Sequence, residues 1–79
     1  MNVPSLPQVT GQRVVRALEK AGFVVRRQKG SHVILVHSQD LSRRAVVPLH
    51  GSKPVKPGTL RAILKGANIS VEEFKELLK

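Results

Sequence analysis

Residues 23–37 read FVVRRQKGSHVILVH, and this stretch decides the fold. Two runs rich in β-branched and apolar residues, Phe23 to Gln28 and His32 to His37, flank Lys29, Gly30 and Ser31. Glycine tolerates the positive φ of a tight hairpin turn, so the stretch predicts two antiparallel strands. Ser38, Gln39 and Asp40 signal a second turn, and Arg44 to Leu49 continues as a third strand. Pro48 cannot donate to a ladder and holds that strand toward an edge or an end.

Working outward, both flanks carry helical spacing. Thr10 is a natural N-cap for a helix that ends at Gly22, with Val14, Val15, Leu18 and Ala21 on its apolar stripe. After a loop from His50 to Lys56, Pro57 suits the first turn of a second helix, where Leu60, Ile63, Leu64 and Ala67 follow the i, i+3, i+4, i+7 pattern. Ser70 followed by Glu73 is a capping-box signature for a short last helix with Val71, Phe74, Leu77 and Leu78 as its apolar face. Residues 1–9, with Pro4 and Pro7, read as an irregular arm. The expectation is one domain over residues 1–79, a two-layer α+β fold with helices on one face of a three-stranded antiparallel sheet.

Charge narrows the partners. Lys and Arg number 14 against five Asp and Glu, a net +9. Three of the acids, Glu72, Glu73 and Glu76, sit near the C-terminus, which leaves residues 1–69 with twelve basic and two acidic side chains, a net +10. Such a surface attracts polyanions: nucleic acid first, an acidic protein second. With two Phe and no Tyr or Trp, the chain lacks the aromatics of a base-stacking sheet platform. Cysteine is absent, which excludes disulfides and thiolate zinc sites. No apolar run is long enough to span a bilayer, so a soluble cytoplasmic protein with no membrane partner is expected.

Alternation along the middle strand puts Val33, Leu35 and His37 on one face and His32, Ile34 and Val36 on the other. Apolar residues occur on both faces, so periodicity alone leaves open whether His32 points to solvent or into the core. His37 falls opposite His32 and is set aside. His50, Lys53 and Lys56 share one loop, and Lys29 and Ser31 flank the hairpin turn. No Asp or Glu cluster lies near the sheet to hold Mg²⁺, and neither a metal nor another cofactor is expected.

Three phrases in this order are specific as a series: Gly30-Ser31-His32; Val46-Val47-Pro48-Leu49-His50; and Lys56-Pro57-Gly58-Thr59-Leu60-Arg61-Ala62-Ile63-Leu64-Lys65, followed by Ile69-Ser70. With the opening helix and its Ala21-Gly22-Phe23 ending, they resemble the HicA toxins of toxin-antitoxin pairs over about residues 11–78. The resemblance implies an αβββα domain similar to the double-stranded-RNA-binding fold, cleavage of mRNA, neutralisation by a HicB antitoxin, and His32 as the catalytic histidine. It agrees with the register that turns His32 outward.

The residue chemistry is compatible with that implication. RNA can be cut through its own 2′-OH if a base, an acid and positive charge near the phosphate are supplied. An imidazole serves either proton-transfer task near neutrality, and lysines can clamp the phosphate. Lys29, Ser31, His50, Lys53 and Lys56 are the candidate RNA contacts, with His50 also a candidate second proton-transfer group. If His32 faces outward, Ile34 and Val36 form an apolar strip that an antitoxin could cover. The alternative is a non-catalytic double-stranded-RNA-binding module, which shares fold and charge but needs no histidine.

Overall fold

A computed structural model describes residues 5–79; the first four residues of the expected arm lie outside the described residues. Its elements are α1 (Gly11–Lys20), β1 (Phe23–Lys29), β2 (His32–His37), β3 (Arg44–Pro48), α2 (Pro57–Ala67) and α3 (Val71–Leu77). The strands form one antiparallel sheet in the order β1-β2-β3. This is the α+β, αβββα arrangement with a short C-terminal helix that sequence and resemblance led to expect.

Local chemistry sets most boundaries. The Thr10 side chain accepts a hydrogen bond from the Arg13 amide and caps α1, while Lys20 places a cation in its last turn. Gly22, at φ +98°, ends the helix and turns the chain into β1. Between β1 and β2 only Gly30 and Ser31 intervene, with Gly30 at φ +59°, as a type II′ hairpin asks of its first turn residue. In the next turn the Asp40 carboxylate accepts from the Ser42 amide and hydroxyl, which holds its pKa below the usual carboxylate value. Asn68 adopts φ 57° at the C-terminus of α2, a role asparagine fills when glycine does not. Ser70 caps α3 by accepting from the Glu73 amide at 3.0 Å, the first half of the expected capping box.

The core lies between the helices and one face of the sheet. Val33, Leu35, Ala45 and Val47 of the sheet meet Val14, Ala17 and Leu18 of α1, Leu60, Ile63, Leu64 and Ala67 of α2, and Phe74 of α3. Each large side chain buried here contributes about 1.5–3 kcal/mol against unfolding. Ala17 replaces Val15 and Ala21 on the most buried stripe of α1; those two are only partly buried. His37 belongs to this face: its Nε2 donates to the Ala21 carbonyl, its Nδ1 accepts from the Gln39 amide, and its ring meets Phe23 edge-on. The two hydrogen bonds use both ring nitrogens of one neutral tautomer, a structural role.

Gly66 sets the approach of α2 to β3. A Cβ built there would lie 2.7 Å from the Arg44 carbonyl oxygen, closer than side-chain atoms come to backbone. Alanine favours a helix over glycine by about 1 kcal/mol, but forcing α2 off the strand costs about 1–3 kcal/mol. Gly66→Ala is therefore expected to lower the urea midpoint rather than raise it. A higher midpoint would show that the helix has room to shift.

Candidate functional site

Register decides which way His32 points. Val33, Leu35, Ala45 and Val47 are buried against the helices, so His32, paired with Lys29 on one side and Pro48 on the other, lies on the open face and is exposed. Of the two orientations that alternation allowed, the solvent-facing one is adopted.

The loop between β3 and α2 is fastened opposite this histidine. The Leu49 amide donates to the Ser31 carbonyl at 2.6 Å, tying the end of β3 to the hairpin turn. The Val55 amide donates to the Val9 carbonyl at 2.8 Å, and Thr10 and Pro54 form a bridge. Val9 and Val55 are both buried, so the arm preceding α1 acts as a brace under the loop. Lys56 accepts from the Leu60 amide and begins α2.

The result is an open groove of about 740 Å³ bordered by His32, His50, Lys53 and Lys56, with Val46, Pro48, Val55 and Thr59 completing the walls. Two imidazoles from separate elements, the sheet and the loop, therefore face one space together with two ammonium groups. No Asp or Glu borders it. Among the described residues the one ion pair joins Lys79 to Glu76 at 2.9 Å, in the helical layer. Nor do the described residues bring together three potential metal ligands. A groove of this kind can hold an anion and move protons at two positions.

Of the sequence candidates, then, His32, His50, Lys53 and Lys56 meet in the groove. Lys29 lies beside His32 on β1 without lining it, and Ser31 contributes its carbonyl to the loop anchor. Sequence reasoning missed Thr59, which periodicity marks only as a non-core position of α2. It also missed Arg26, Arg27 and Arg44 on the same open face. The apolar strip there differs from expectation too: Val36 is only 6% exposed, whereas Val24 and Val46, at 50% and 51%, are more open.

A family model described as the HicA toxin of bacterial toxin-antitoxin systems matches residues 11–69. The chain belongs to the HicA toxin family. The matched span runs from α1 through α2 and so contains His32, His50, Lys53 and Lys56. A HicA protein is a toxin that operates with a cognate antitoxin. No curated protein matches the chain. No helix among the described residues of this HicA protein is long and apolar enough to cross a membrane.

Proposed function

We propose that this HicA protein is an endoribonuclease that cuts mRNA without a metal ion, by proton transfer at His32 and His50. The observation that carries the reading is the shared groove, in which an exposed strand imidazole and a loop imidazole border one acid-free space with Lys53 and Lys56. One imidazole accepts the proton of a ribose 2′-OH as its oxygen attacks the adjacent phosphorus. The bond from phosphorus to the 5′ oxygen breaks, and the other imidazole gives that oxygen a proton. The products are a 2′,3′-cyclic phosphate and a 5′-hydroxyl. Lys53 and Lys56 offset the charge on the phosphoryl oxygens, an effect strongest in the transition state. Lys29 and Ser31, at the hairpin turn beside His32, contact the RNA on its flank.

A HicB-type antitoxin neutralises the enzyme by covering the open face. Exposed Val24 and Val46 supply apolar area there, and the cationic rim suits an acidic partner. A cytoplasmic location follows from an mRNA substrate.

The test is cleavage of a defined single-stranded RNA in EDTA. Cyclic-phosphate ends are expected, together with complete resistance of the all-2′-deoxy strand. Cutting of the deoxy strand would remove the 2′-OH mechanism. RNA binding with no cutting would make the domain a non-catalytic RNA-binding module.

A further inference from the structure

The groove at His32 does not end there. It shares Val46 and Thr59 with a second hollow of about 520 Å³ along the flank of α2, which Arg27, Ile34 and Arg44 also border. Those three residues border a third hollow of about 380 Å³, together with Arg26, Val36 and Leu41. The three hollows form one trough across the open face of the sheet. From His32 to Val36 along β2 it extends about 13 Å at the usual rise per strand residue.

The far end of this trough is an arginine cluster built by a specific irregularity. Val25 pairs with Leu35 but Arg27 pairs with Ile34, so Arg26 is an extra residue in β1, a β-bulge. With regular alternation Arg27 would share the core face with Phe23 and Val25. The bulge instead puts Arg27 on the open face beside Arg26, and Arg44 joins them from β3, where it pairs with Val36. No Asp or Glu borders any of the three hollows, and among the described residues no ion pair offsets these guanidinium groups. Three like charges bordering one hollow repel one another, so ion pairing within the fold does not account for their placement. Beneath them, Ile34 and Val36 form an aliphatic floor.

We propose that this arginine trough is a second RNA-binding site, which holds the unpaired segment adjoining the phosphodiester at His32. Guanidinium forks take phosphates in bidentate fashion, and their planes also stack on bases. Exposed Val46 and half-buried Ile34 accept the faces of splayed bases. An A-form duplex hides its base faces and could use only the charge, so the ligand is single-stranded. The direction of the strand rests on the ribonuclease reading; the existence of the site does not.

The experiment measures anisotropy of a fluorescent oligouridine over a salt series in EDTA, with all proteins in a His32→Ala background. The variant Arg26→Gln/Arg27→Gln/Arg44→Gln is expected to lose at least tenfold in affinity. It should also lose about 2 from the slope of log K against log salt, at about 0.7 per phosphate contact on a single strand. A control with the same charge loss, Arg16→Gln/Lys20→Gln/Lys75→Gln on α1 and α3, is expected to bind as the parent does. Equal losses in both variants, or none in the first, overturn the proposal. Polyglutamate of matching charge, which has no bases to stack, is expected to compete more weakly than oligouridine; equal competition overturns the assignment to RNA and leaves the trough as part of the antitoxin surface alone. Circular dichroism checks that both variants are folded. Cleavage is read separately on the protein with His32 intact: if that protein binds but does not cut, the ribonuclease reading falls and the trough stands. If it cuts, and the arginine variant in the His32→Ala background binds normally, the trough alone is removed.

Discussion

Substituting His32 by alanine is expected to lower the single-turnover rate of RNA cleavage by about 10²–10⁴-fold, the usual contribution of a positioned acid or base. His32 is exposed, lies on the face away from the core, and borders the groove without packing beneath it. Its truncation therefore removes no core contact, and stability should change by less than about 0.5 kcal/mol. RNA affinity should persist, since Lys53, Lys56 and the arginines remain. His50→Ala in the same assay should produce a loss of similar order, because cyclisation needs a proton taken and a proton given. Unimpaired cutting by a folded His32→Ala protein would remove the histidine mechanism and leave the fold untouched.

Phe74→Ala should have the largest effect on stability. Phe74 is 0% exposed and is the buried anchor of α3, which packs on α1 and completes the core. Truncating a fully buried phenylalanine costs about 3–5 kcal/mol. For 79 residues, at about 0.05–0.15 kcal/mol each, the whole folding free energy is about 4–12 kcal/mol, so the variant should lose about a quarter of its stability or more, and nearly all of it at the lower end of that range. Urea denaturation followed by circular dichroism gives the answer. A loss under about 1 kcal/mol would mean that α3 is an appendage. The outcome has a particular interest because α3 lies beyond residues 11–69, the span matched by the family model.

Much of the scaffold could be read along the chain because its signals are local. Thr10, Gly22, Gly30, Pro57 and Ser70 act through their own backbone or through an amide three residues away, and each marks a boundary the structure adopts. Only small shifts were needed: β1 runs on to Lys29 and β3 stops at Pro48. The stripe of α2 was legible for the same reason, since Leu60, Ile63, Leu64 and Ala67 repeat with the helix.

The site was legible as a list of residue types and not as a place. His32, His50, Lys53 and Lys56 stood out by chemistry, but nothing local says that the loop folds over the strand. That depends on the Leu49 to Ser31 and Val9 to Val55 hydrogen bonds, which join residues 18 and 46 positions apart. Lys29 and Ser31, within three residues of His32 in sequence, do not line the groove.

What the sequence by itself determined is the α+β order, the cationic character and the set of groups available for chemistry, because capping, turn geometry and side-chain periodicity act over a few residues. Only the tertiary structure decided three things: that His32 faces solvent, that the loop braced by the arm forms an open groove with it, and that a bulge at Arg26 carries Arg27 onto the same face. Apolar residues on both sides of β2 leave its orientation open until helices cover one face. An extra residue in a ladder has no signature until the partner strand is in register.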